Sequence, residues 1–259
     1  GNQQGTALWV LLEDGAIWNF TTESEHGNWS RMGYTALGAS RIMLSPDEQQ
    51  MLIFSQEQGT LVGAESGRLL RELGPLRGAA WDPATPARLA VCRNDGSLGI
   101  ISPEQTVTLP TRPLMSTDAS LIQLGFFNET WADPTRRARQ FLLVHSETAD
   151  KGAIEFVPID PAPVGAPDSP AVTVDLPLHS RVAASPTENI LVTGAPSGTV
   201  TVWFAAPSHD PKPRQLFDLE GHRGEQLTCV TFSSDGRTII TADTKNRLYA
   251  WLSRDPLLP

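Results

Sequence analysis

Apolar and polar positions follow one another along this chain in short blocks. Runs of about four to eight residues rich in Val, Ile, Leu, Thr, Phe and Trp are bounded by Gly, Pro, Asn, Asp or Ser, which is the pattern of strands and tight turns. No window of roughly 12 residues carries apolar positions at i, i+3, i+4 and i+7 between caps, so long helices are not expected. The clearest block is GHRGEQLTCVTFSSDGRTIITADTKNRLYAW at 221–251. It reads as strand 226–233, turn 234–236, strand 237–243, turn 244–246 and strand 247–252.

The same order recurs upstream. HSRVAASP (179–186), ILVTGA (190–195), TVTVWFA (199–205) and PRQLFDLEGH (213–222) repeat it with a fourth strand. LRGAAWDP (76–83) and ASRIMLSP (39–46) open two further copies. A turn with Gly or Asn precedes a strand in each unit, at Gly15, Gly59, Gly96, Gly152, Gly198 and Asn246. The spacing is roughly 37–44 residues, stretching to about 65 around 111–176, and four strands at such a period mark a β-propeller. The predicted fold is one all-β domain of about six four-stranded antiparallel blades, near 6–37, 38–73, 74–110, 111–176, 177–220 and 221–259. The long unit carries two insertions, NETWADPTRRARQ (128–140) and the Pro-rich PIDPAPVGAPDSP (158–170), expected in exposed loops.

The terminal units look incomplete. The unit at 7–37 lacks a first strand, and the last lacks a fourth. Either the chain is cut from a longer protein, which the opening GNQQGTALW favours, or GNQQG forms a makeshift edge strand.

The unit at 221–251 resembles a WD repeat. His222 sits in the expected Gly-His pair, Thr241 takes the Ser/Thr place on the second strand, and Trp251 falls on the third-strand Trp. The resemblance implies that these groups, with an Asp in the second turn, form a hydrogen-bonded network that stiffens the blade. Lys245 occupies that Asp position, so the network is expected to be incomplete. The fifth unit keeps Thr193 and Trp203 but has Ser197 in place of the Asp, and the remaining units keep only the pattern.

Composition narrows the function classes. The 259 residues are 40% hydrophobic and 19% charged, enough apolar matter for a core and too little charge for disorder. A net charge of -9 disfavours nucleic acid and anionic membranes as partners. RRAR at 136–139 is a local exception. Cys92 and Cys229 both lie in apolar runs and read as buried free thiols. No stretch is long and apolar enough to span a membrane as a helix; the visible sequence has no signal peptide, which slightly favours the cytoplasm and leaves the address open.

Catalytic signatures are sparse. His26, His145, His179, His209 and His222 show no metal-ligand spacing, and no phosphate-cradling Gly loop or nucleophile elbow occurs. Asp14, Asp47, Asp95 and Asp235 lie in turns, where such side chains bond the local backbone. Trp29 and Trp131 sit in polar surroundings and are anchor candidates. The expected function is a non-catalytic protein-interaction scaffold without cofactor or metal, with Trp131, Arg136, Arg137, Arg139 and Trp29 as contacts. Its partners would be proteins or further domains of a longer chain. The alternative is a propeller enzyme, hydrolase- or lactonase-like, or a small-ligand binder using the central channel.

Overall fold

A computed structural model describes residues 7–21, 27–102, 106–108, 121–130, 139–159, 172–222, 224–233 and 235–252. Among them there is no helix. The chain divides into two compact units, residues 1–117 and 118–259, each built of three antiparallel sheets.

In the first unit, β1 (Ala7–Leu11), β2 (Ala16–Thr21) and β3 (Asn28–Thr35) form sheet 1. Sheet 2 follows as β4 (Arg41–Leu44), β5 (Gln50–Phe54), β6 (Gly59–Gly63) and β7 (Leu69–Glu72). Sheet 3 holds β8 (Leu76–Trp81), β9 (Leu89–Arg93), β10 (Leu98–Ile101) and β11 (Thr106–Thr108). In the second unit, β12 (Leu121–Glu129), β13 (Arg139–Glu147), β14 (Gly152–Pro158) and β15 (Val172–Leu176) form sheet 4. Sheet 5 is β16 (Arg181–Ala184), β17 (Ile190–Gly194), β18 (Thr199–Ala206) and β19 (Asp210–Glu220). Sheet 6 ends the chain with β20 (Leu227–Phe232), β21 (Thr238–Asp243) and β22 (Leu248–Leu252). Among the described residues every sheet is a meander, and the first and the last have three strands.

The apolar runs follow from burial on both faces. Met51 and Ile53 of β5 pack toward sheet 1 with Ile17 and Met32, while Leu52 and Phe54 pack toward sheet 3 with Leu76, Trp81 and Val91. β17 does the same in the second unit. Leu191 joins Phe127, Phe141 and Phe156 of sheet 4, and Ile190 and Val192 join Leu227, Val230 and Ile239 of sheet 6. A strand with neighbours on both sides cannot alternate apolar with polar, so MLIF and ILV run unbroken. Each such side chain stabilises the fold by about 1.5–3 kcal/mol over its exposed state.

The turns repeat as well. Leu12, Arg93, Ala195 and Asp243 each open one hairpin turn, donating their N–H to the carbonyls of Ala16, Ser97, Thr199 and Arg247. Three residues on, Gly15, Gly96, Gly198 and Asn246 adopt φ between 60° and 85°. Side chains with a Cβ rarely adopt that backbone, apart from Asn and Asp, which explains the choice of residue. Gly59 and Gly152 are instead the first residues of β6 and β14 and have no positive φ. Asp14, Asp47, Asp95 and Asp235 accept from the backbone N–H two residues on, which sharpens the turns.

Several boundaries differ from the sequence expectation. β12 runs on to Glu129, and β13 begins at Arg139, paired directly with Glu129. Asn128, Glu129, Arg139 and Gln140 are therefore strand rather than insertion. Cys92 is buried, but Cys229 is exposed, because its side chain lies on the uncovered face of β20. Its apolar neighbours Leu227 and Val230 take the covered face; they are three apart, and the register shift between Leu227 and Cys229 leaves Cys229 outside. Both thiols are free.

Candidate functional site

His222 precedes β20 in the loop from sheet 5, and its ring is closed to solvent. A carboxylate only accepts, so Nδ1–H donates to Asp243 Oδ2 at 2.9 Å. Thr241 Oγ1 lies 2.7 Å from Nε2 and accepts from Trp251 Nε1 at 3.0 Å. Indole, hydroxyl, imidazole and carboxylate thus form one continuous hydrogen-bonded row. Tyr249 packs edge-on against His222 and stacks on Trp251, with centroids 4.5 and 5.6 Å away.

The carboxylate is the correction to the sequence reading. Lys245, at the position expected to hold the Asp, is exposed and pairs with Glu225. Asp243, two residues earlier, completes the row. Side chains two apart on a strand share a face, so an Asp at the end of β21 reaches the ring from the side on which Thr241 lies. Oδ1 of Asp243 accepts from the backbone N–H of Lys245 and of Arg247, and Oδ2 also accepts from Arg247 Nε at 2.7 Å. Burial alone would raise the pKa of this carboxyl. The bonds from His222 and Arg247 and from the turn backbone win, and hold it well below the usual carboxylate range.

In sheet 5 only half of this arrangement is present. Trp203 Nε1 donates to Thr193 Oγ1 at 2.8 Å. Ser197 instead meets Thr199, and His179 lies away from the pair, two-thirds exposed and 3.7 Å from Glu147 of sheet 4.

The expected contact residues separate. Trp131, Arg136 and Arg137 lie outside the described residues. Trp29 is on β3, 52% exposed, with its ring tilted against Phe20 at a centroid distance of 4.9 Å. Register places Leu8, Phe20 and Trp29 in one row across β1, β2 and β3. Leu8 is itself 45% exposed, so the row is an uncovered apolar ridge. Phe20 and Leu8 were not expected as contacts from the sequence, although alternation along β1 and β2 puts them there. Arg139, on β13, faces Glu129 across the strand pair. Glu129 is closed to solvent and accepts from Ser208 of sheet 5 at 2.7 Å. Thr130 and Asn189 exchange two hydrogen bonds beside it, tying sheet 4 to sheet 5.

His145 is buried on β13, with Glu147 3.8 Å away. Burial, helped by the charge of Arg181, pushes its pKa down to about 4. No group of His, Cys, Asp and Glu among the described residues is arranged to hold a metal ion.

The family model described as WD domain, G-beta repeat matches residues 213–251, which span most of β19 and all of sheet 6 up to Trp251. No curated protein sequence matches the chain. Among solved structures the chain is similar to the β-propeller domain of Cps50 (Swd1) from Myceliophteria thermophila. That likeness has 15% identity and a TM-score of 0.63, and covers 97% of this chain and 80% of that one. It is also similar to a chain of the mitotic checkpoint complex, at 17% identity and a TM-score of 0.52, over 96% and 84% of the two chains. Likeness at these identities shows the fold: the six sheets are the blades of a β-propeller.

Proposed function

We propose that this divergent WD-repeat propeller is a non-catalytic platform for protein partners. The observation that carries it is the Leu8–Phe20–Trp29 ridge. Trp29 leaves half its surface to solvent although Phe20 already holds its ring. A large aromatic fixed before binding loses little conformational freedom on contact, and Trp is enriched among the residues that dominate binding energy. The row in sheet 6 points the same way. His222 and Asp243 spend their polar atoms on one another, on Thr241 and on Arg247, so they stiffen a blade. That a similar propeller belongs to an assembly, the mitotic checkpoint complex, supports the reading.

Trp29 is the first contact. Trp131, Arg136 and Arg137, with Arg139 at the foot of β13, are the second group, and their positive charge in a chain of net charge -9 suits an acidic partner surface. The test is affinity capture of partners by the wild-type chain, by Trp29→Ala, and by a chain in which 131–138 is replaced by Gly and Ser. Partners are expected with the wild type and lost with either variant at unchanged thermal stability. Equal recovery by all three would remove both groups from the interface.

A further inference from the structure

We infer that β3 of sheet 1 pairs with β3 of a second copy of the chain, antiparallel about Ser30, so that each Trp29 meets the partner subunit's Arg31. This rests on the reading of Trp29 as a protein contact and names one partner for it.

Among the described residues β3 is an outermost strand of sheet 1, bonded to β2 on one side only. A free edge presents alternate N–H and C=O groups that a further strand can pair. Other outer strands carry devices that discourage such pairing. β7 has four residues and a register shift, and β19 carries Pro213 and two register shifts. β3 has eight residues and no Pro, and it holds unbroken register with β2 from Asn28 to Arg31. All four of those residues are exposed.

Their order makes the edge complementary to itself. A two-fold axis through Ser30, normal to the sheet, keeps the uncovered faces of both copies on the same side. Trp29 then stands directly opposite the partner subunit's Arg31, and Arg31 opposite the partner subunit's Trp29. Phe20 on β2 holds the indole at a centroid distance of 4.9 Å, and 52% of Trp29 stays open. A guanidinium over that indole gains a cation–π contact, and the contact occurs twice. An axis through Arg31 would set two guanidinium groups against each other, and an axis through Trp29 would set Arg31 against a glycine. The Ser30 register avoids both.

Local charge does not oppose the pairing. Arg31 is the only charged residue from Gly27 to Ser40, so the net charge of -9 lies elsewhere. Repulsion from it is screened beyond about 8 Å at physiological salt. One strand pair and two indoles make a small interface, so association in the micromolar range is expected. Two copies of the three-stranded sheet 1 then form one continuous sheet, which presents the Leu8–Phe20–Trp29 row twice.

The test is sedimentation velocity of the full chain across a micromolar concentration series. The wild type is expected to pass from monomer to dimer. Ser30→Lys sets two ammonium groups against each other on the axis and abolishes the dimer. Arg31→Glu removes both cation–π contacts and weakens the dimer about tenfold, while Arg31→Lys retains it. Register is read by cross-linking in a Cys229→Ser background, which removes the exposed native thiol. Ser30→Cys is expected to form an intermolecular disulfide under mild oxidation, and Thr35→Cys, at the far end of β3, is not. Ser30, Arg31 and Thr35 are exposed, and unchanged melting curves certify that the variants fold. A wild type that stays monomeric, a dimer that Ser30→Lys retains, or equal cross-linking at both positions overturns the pairing. A monomeric wild type whose captured partners are still lost with Trp29→Ala removes the second copy and leaves the platform role standing.

Discussion

His222 and Asp243 face each other across 2.9 Å in sheet 6, both side chains closed to solvent. Loss of Asp243 leaves the buried Nδ1 of His222 without its acceptor, whereas Asp243 keeps its bonds from Arg247 and the turn backbone. Thr241 links the pair to Trp251, so removing its hydroxyl breaks the row at its centre while nearly preserving shape. Thr241→Val is expected to lower unfolding stability by about 1–3 kcal/mol. Lys245→Ala is expected to stay within about 0.5 kcal/mol, since its ion pair lies at the surface. Guanidinium midpoints at constant slope measure both. A larger loss at Lys245 would return the structural role to that position.

Acid should destabilise the protein in two separate windows. His145 has a folded pKa near 4 against 6.5 when free. Between those values the unfolded state binds more protons, so stability falls as pH drops from 6.5 to 4, by about 3 kcal/mol in all. Asp243, whose folded value is depressed below 3.8, contributes stability that is intact above 3.8 and is lost as pH falls through the lower folded value. Denaturant midpoints from pH 8 to pH 3 test this. His145→Leu should flatten the first window and leave the second; a first window untouched by that change would contradict the assignment.

Much of this was legible in the sequence, and the reasons differ by residue. Strand order could be read because Met51–Phe54 and Ile190–Val192 are buried on both faces and so write continuous apolar runs. The left-handed turns could be read because Gly, and after it Asn, adopts φ near 60–85° most readily. The role of Asp243 could not be read from the repeat pattern, which counts positions, whereas reach follows the face of the strand. Arg139 was assigned to a loop because a charged run resembles one; pairing with Glu129 across β12 and β13 is a long-range fact. The Leu8–Phe20–Trp29 row was hidden for the same reason, since it exists only once three strands are in register.

Two turn glycines with similar φ should respond differently to Ala. Gly96, at φ +81, has nothing within 4 Å of an added Cβ, so Gly96→Ala costs about the 1–2 kcal/mol of left-handed backbone. Gly198, at φ +85, would place its Cβ 1.9 Å from the His222 carbonyl oxygen. Gly198→Ala adds that clash to the same strain, and should lower the melting temperature clearly more than Gly96→Ala. Equal shifts would mean that the loop carrying His222 yields freely.

The two thiols should separate by reactivity. Burial pushes Cys92 up to about 11, while Cys229 is exposed. A thiol reagent at pH 8 is expected to modify Cys229 in the native protein and Cys92 only on unfolding. Prompt modification of both would contradict the packing of sheet 3.

The platform role is tested most directly by affinity capture from extracts of the source cells, using the wild type and Trp29→Ala side by side. Trp29 is half exposed, so the variant should melt at the wild-type temperature and lose partners that the wild type retains. Partners recovered equally by both proteins, or lost only together with folding, would contradict it.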